Sequence, residues 1–302
     1  MPVRPRLVHF GWALRDYVKR VWDNSAENNV LFLAGGVAFN ILLAVVPFFL
    51  LIVTGVAALL DQSPTAVSSM ITAFLGELLP HEAETVQRTM EGLLEEIVSA
   101  RTSVGIFSVI AFIWFTTRLF GSLRTVLGAT FDIQQERGII AGKLFDIKMT
   151  VISTVLIVAY TVLSAYLAIA TTRGVGLLVS LGIREDTMGR VEYWLGRLVG
   201  FGVIVLMFYS LYKFLPIRRV RNSTAFVAAL FAGLLLEVAK NIFTGAATSM
   251  SPSSFYTGTI AAIVIVVVWT YYVALIFTIG GEVGQVYELR RVRRRQREIL
   301  YE

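Results

Sequence analysis

The stretch LLLEVAKNIFTGAATSM, residues 234–250, sets a carboxylate, an ammonium and an amide (Glu237, Lys240 and Asn241) within five positions of an apolar run. Spacings of three and four residues put Lys240 and Asn241 beside Glu237 on one helical face. Such a set can receive a headgroup, an ion or a proton. It can equally be a buried ion pair whose neighbouring amide pins helix packing. Four further polar residues sit inside or at the edge of apolar blocks: Arg197, Arg118, Glu282 and Asn40. An unpaired charge at membrane depth costs roughly a few kcal/mol or more. Each of these residues therefore needs a partner or a task.

The residues that would support other chemistries are missing. The chain has no cysteine, so disulfides, thiolate metal sites and a cysteine nucleophile are excluded. Its two histidines, His9 and His81, lie outside the apolar blocks. Neither a zinc-ligand set, a Gly-rich phosphate loop nor a Ser/His/Asp arrangement is present. The expectation is a protein without catalysis, metal or cofactor.

Hydrophobic residues make up 56% of the 302 positions and charged residues 16%, against about 45–50% and about 25% in soluble domains. The apolar residues are gathered into long blocks, which marks an integral membrane protein. Residues 1–29 read as a basic amphipathic helix, cytoplasmic or interfacial, with Phe10, Leu14, Tyr17 and Val21 at helical spacing. Residues 30–60 carry no charge and are too long for a signal peptide, so they read as a retained first span. At about 1.5 Å per residue the block exceeds a hydrocarbon core of about 30 Å, and Pro47 marks a structural kink. Residues 61–101 read as an extracytoplasmic amphipathic helical insertion, with Val86, Met90, Leu93 and Ile97 on one face. Further spans fall at 103–130, 146–171, 194–215, 223–247 and 255–286. The expected fold is all-α: a polytopic bundle of six transmembrane helices over 30–286, plus the amphipathic insertion and a basic cytoplasmic tail at 287–302.

Alternate loops differ in charge. The N-terminal segment, 118–148, 213–221 and the tail hold 20 Lys and Arg residues; the opposite loops hold 5. The positive-inside rule then puts both termini in the cytoplasm. The tail RRVRRRQR reads as a contact for anionic headgroups, with no nucleic acid expected. In this orientation Glu237 lies in the outer half of the bilayer, with Arg197 a second cation within reach. Arg118 lies nearer the cytoplasm, where Glu282 could pair with it. Asn40 falls near the midplane, where an amide bonds a neighbouring helix or contacts a ligand. Together, Glu237, Lys240 and Asn241 are expected to form one wall of a polar cavity between the fourth, fifth and sixth spans.

The segments AGGVAFNILLAVVPFFLLI and FIWFTTRLFGSLRTVLGATFDI resemble the first and second spans of the YihY/BrkB family of bacterial inner-membrane proteins. LYKFLPIRRVR, LFAGLLLEVAKNIFTGAATS and SFYTGTIAAIVIVVVWTYYVALIFTIGGEVGQVYE resemble its C-terminal half in order. The resemblance covers roughly residues 25–288. By this likeness Pro47, Arg118, Pro216, Glu237, Lys240, Tyr256, Gly258 and Glu282 match family motif positions. Asn40 departs from the aromatic or hydroxyl residue usual there, and FYTG stands where YG is usual. The resemblance implies an inner-membrane location. The family has carried ribonuclease and virulence labels, and the resemblance also points to export of lipid or lipid-linked material. The peripheral histidines and few embedded carboxylates argue against a nuclease.

Two functions compete. One is a transporter or flippase for lipids or other amphiphiles, with membrane lipids as partners. The other is a membrane scaffold whose acidic 61–101 segment binds an envelope protein. The topology has a direct test, because the native chain offers no competing thiol. In intact spheroplasts a cysteine at Gln87 should react with an impermeant maleimide and one at Gln296 should not; the reverse pattern defeats the orientation.

Overall fold

The computed structural model describes residues 5–60, 101–133, 138, 140–152, 185–218, 220–249 and 259–301. The expected insertion at 61–101 lies outside the described residues except at Arg101, and the span expected at 146–171 is described only as far as 152. Helices are α1 (Pro5–Glu27), α2 (Val30–Leu60), α3 (Arg101–Thr130), α4 (described over 140–152), α5 (Glu185–Phe214), α6 (Asn222–Ser249) and α7 (Thr259–Tyr301). No strand occurs among the described residues. Among the described residues, four helices are long and apolar enough to cross a membrane: α2 over Val30–Leu51, α3 over Ser103–Thr130, α6 over Asn222–Phe243 and α7 over Val264–Arg293. The span expected at 194–215 falls within α5, whose apolar stretch, Gly200–Phe214, is shorter. At about 1.5 Å per residue this stretch covers about 22 Å of a core about 30 Å thick.

Local chemistry sets the helix ends. Asn29 adopts a left-handed φ of 51° between α1 and α2. Its N–H donates to Ala26 O, closing α1, while its carbonyl accepts from Phe32 and Leu33 and opens α2. Asp132 adopts the same φ after α3. There Asp132 N–H reaches Ala129 O and Ile133 N–H reaches Gly128 O, a Schellman closure with Asp in the position usually held by Gly. Asn and Asp tolerate this region better than other non-glycine residues. Pro47 lies inside α2, and the helix continues on both sides of it.

α7 is the hub. α2 and α6 pack on it, α3 packs on α2 and α5 packs on α6. The α6–α7 contact is made by small residues. Ala225, Ala228, Ala229 and Ala232 are fully buried on α6. Facing them, a Cβ added at Gly280 would lie 2.9 Å from Ala232 Cβ and would collide with Tyr212 Oη. One added at Gly284 would lie 3.0 Å from Ala228 Cβ. Lipid is as apolar as the core, so close van der Waals packing has to supply much of the association that water supplies to a soluble bundle. α5 is tied in by Tyr212, which stacks on Phe277 with ring centroids 5.1 Å apart and donates its hydroxyl to Phe277 O at 2.7 Å. α4 is held to α3 by an ion pair, Arg124–Asp146 at 2.8 Å, with Asp146 buried.

These contacts separate two kinds of glycine. Gly280→Ala should lower stability by about 1–3 kcal/mol through overpacking. Gly35→Ala, with open space around its Cβ, should be neutral or gain about 0.5–1 kcal/mol of helix propensity. Thermal unfolding in detergent checks both, and equal effects would contradict the packing described.

Candidate functional site

The polar residues inside the bundle fall at two levels. The first is the end of the bundle where α1 docks. Glu282 is fully buried on α7. Its position, two residues after Gly280, turns it about 200° around the helix, away from α6. Asn28, at the corner between α1 and α2, donates its Nδ2–H to Glu282 Oε1 at 2.8 Å. Thr130, in the last turn of α3, lies beside the carboxyl group and packs on Gly281. Glu282 Oε2 and Thr130 Oγ1 are both buried, and neither completes a hydrogen bond.

Two more contacts on α7, at Val283 and Arg290, fix α1. Tyr17 donates its hydroxyl to Val283 O at 2.6 Å. Arg290 binds Asp16 at 2.7 Å and lies over the Tyr17 ring, 4.9 Å from its centroid. Burial pushes the Tyr17 hydroxyl up to about 12, against the opposing charge of Arg290. Desolvation acts upward on the Asp16 carboxyl, but the hydrogen bonds and charges of Arg20 and Arg290 outweigh it and hold it below its ordinary value. On the α6 side, Thr224 donates to Glu288.

The second level is on α6. Lys240 Nζ and Glu237 Oε2 form an ion pair at 2.6 Å, and Asn241 Nδ2–H donates to Glu237 O at 2.7 Å. The three residues are brought together as their spacing implied. Their side chains remain partly accessible, Glu237 by 22% and Lys240 by 43%. Ala228 lies opposite Gly280 and Gly284, so Glu237 sits nine residues, or about 14 Å, beyond the level of Glu282.

The other residues join neither group. Arg118 is exposed on α3, and the Glu282 carboxylate that could have paired with it is held by Asn28 instead. The reason is axial distance: Arg118 precedes Thr130 by twelve residues, about 18 Å of helix. Asn40 donates to Gly36 O on its own helix at 2.9 Å, where a bond to a neighbouring helix or a ligand contact was expected. Arg197 lies on α5, with its side chain outside the described residues.

A cleft of about 480 Å³ does open between α5, α6 and α7, but Glu237 does not line it. Tyr209, Asn222, Ser223, Phe226, Val227 and Tyr287 do, at the end of α6 remote from Glu237. The Ala and Gly contacts hold α6 and α7 together at the level of Gly280 and Gly284. Residue types alone did not single out Asn28, Thr130 or Arg124–Asp146. The Asn28–Asn29 pair, set between a basic helix and an apolar block, was the available signal for the first.

The family described as Virulence factor BrkB matches residues 21–299. A UPF0761 membrane protein of Psychromonas ingrahamii is 28% identical over 276 residues, covering 90% of this chain and 87% of the relative. One from Pseudoalteromonas atlantica is 23% identical, over 90% and 86% of the two chains. A protein of Bacillus subtilis named as a putative ribonuclease-like protein, YfkH, is 22% identical, over 84% and 88%. No solved structure matches. With its apolar helices and a family match spanning nearly its whole length, the chain is a membrane protein of the BrkB family.

Proposed function

We propose that the protein moves lipids or other amphiphiles across the bacterial inner membrane, without catalysis, and that the α1 end of the bundle faces the cytoplasm. One observation carries this reading: the outward face of α6 is a polar–apolar–polar track. At one end it begins in the cleft with Asn222 and Ser223. It continues through exposed Phe226, Leu230 and Leu234. At the other end it meets Glu237 and Asn241. These residues follow one another at steps of three and four, so they share a face, and Ser223 and Glu237 are about 21 Å apart along it. An amphiphile crossing a bilayer needs places for its headgroup on both sides of an apolar stretch, and an accessible ion pair at membrane depth is costly to keep for packing alone.

The charge asymmetry of the loops supports the orientation. The test is reconstitution into liposomes carrying a fluorescent phospholipid, with a membrane-impermeant quencher reporting the fraction exposed. The protein should accelerate exchange between leaflets. Glu237→Gln should fold normally and lower the rate roughly tenfold or more, since it removes a charge-assisted contact of about 1.5–3 kcal/mol. Exchange no faster than in protein-free liposomes would defeat the reading. An unchanged rate in Glu237→Gln would remove the α6 track from it.

A further inference from the structure

We infer that Glu282 is a proton-binding site, with the proton carried on Oε2 toward Thr130 Oγ1, and that its occupancy controls the docking of α1 on the bundle. The argument begins with hydrogen-bond bookkeeping. Asn28 supplies a donor to Oε1. Oε2 and Thr130 Oγ1 lie side by side and buried, and the threonine hydroxyl, placed to donate to the carboxyl group, does not complete that bond. A proton on Oε2 gives that oxygen a donor and aims it at Thr130 Oγ1. The threonine hydroxyl is then free to donate back into its own helix, as buried Thr side chains do. One proton thus completes the set.

The ionised form has the Asn28 amide and the nearby Thr130 hydroxyl, but a fully buried carboxylate without a cation stays costly. Among the described residues, none forms an ion pair with Glu282. The charged groups on the surrounding elements are engaged or turned outward. On α1, Asp16 is held by Arg20 and Arg290, Tyr17 by Val283 O, and Lys19, Asp23 and Glu27 are exposed. On α3, Arg124 is held by Asp146, and Asp132 beyond its end is exposed. The α2 span, Val30–Leu51, has no ionisable residue. On α6, Glu237 and Lys240 pair with each other about 14 Å away. On α7, Glu288 is bonded to Thr224.

The link to α1 is direct. Asn28 is the corner residue through which α1 enters α2, so the carboxyl group that accepts its amide helps set the angle of α1. Uptake is a simple protonation, in which carboxylate and hydronium give the acid and water. Loss of the proton leaves a buried anion bonded to that same corner, where Asn29 beside Asn28 is exposed. The sign follows: proton binding favours docked α1, and proton loss favours its release. The inference rests on the resting bundle and on no transport activity, so it and the proposed function can fail separately.

Two measurements test it on the full chain. In infrared difference spectra between mildly acid and alkaline conditions, the wild type should show the carbonyl band of a protonated carboxylic acid, and Glu282→Gln should lack it. Thr130→Val should shift that band, because the acid loses its acceptor. For docking, spin labels at Lys19 and Arg293, both exposed, report the α1–α7 distance from about pH 5 to about pH 9. This window avoids the other α1 contacts. The Asp16 contribution is lost only as pH falls through its lowered value, and that of Tyr17 only as pH rises from its ordinary value of about 10 towards about 12.

The wild type should gain a longer distance as pH rises, and Glu282→Gln should keep the short one throughout. Absence of the acid band, a distance that ignores pH, a transition that survives in Glu282→Gln, or a response to sodium ions at fixed pH would each overturn the inference. So would a Glu282→Gln protein that cannot be recovered folded, because the amide reproduces the shape and hydrogen bonds of the neutral acid.

Discussion

Close approach of α6 and α7 is the constraint on which the rest of this bundle depends. Where Gly280 and Gly284 meet Ala228 and Ala232, the two helices touch almost backbone to backbone. Inside lipid, apolar burial between helices adds little, so shape has to do the work. Once this face of α7 is committed to α6, the helical repeat determines what the other faces receive. Gly281 turns to Thr130 on α3. Glu282, next in line, has no exit to lipid or solvent. Tyr212 then fits only because Gly280 leaves room for its hydroxyl, and through it α5 joins the same contact.

The polar groups follow from this packing. Toward the end where α1 sits, a cleft opens between α5, α6 and α7, and hydroxyl, carboxyl and guanidinium groups interlock across α1, α6 and α7. At the other level, α6 carries its ion pair on the face it does not use for packing. The two carboxylates that most needed explanation therefore have different surroundings. Glu237 keeps its cation three residues away on the same helix. Glu282 has an amide from another element and no cation among the described residues.

What could be read in advance divides along the same line. The apolar blocks, the break before residue 30 and the grouping of Glu237 with Lys240 and Asn241 depend on neighbours in the chain, and periodicity reports such neighbours. The partners of Glu282 do not. Asn28 is 254 positions away from it, and nothing in the local pattern of either residue names the other. Pairing Glu282 with Arg118 followed from charge and approximate depth, and failed because depth read from residue counts does not fix axial register between helices. Asn40 illustrates a second limit: a polar side chain in a helix can satisfy itself on the preceding turn, and residue type does not distinguish this from a bond to a neighbour. The α6–α7 contact was only partly legible: Gly280 and Gly284 stand out within an apolar helix, but the alanines that face them, Ala228 and Ala232, look like ordinary helix formers.

The length of α7 has a mechanical consequence. It is one unbroken helix of 43 residues, about 64 Å long, or twice the thickness of the hydrocarbon core. Gly280 lies near its middle, where the contact with α6 is tightest. A helix held at its centre behaves as a rigid beam over a pivot. Tilting it by about 10° there would sweep Tyr301, some 31 Å away, through roughly 5 Å. That arm carries Arg290, Arg291 and the arginines after them, so a sub-ångström adjustment at the pivot becomes a displacement of charge several times larger at that end of the helix.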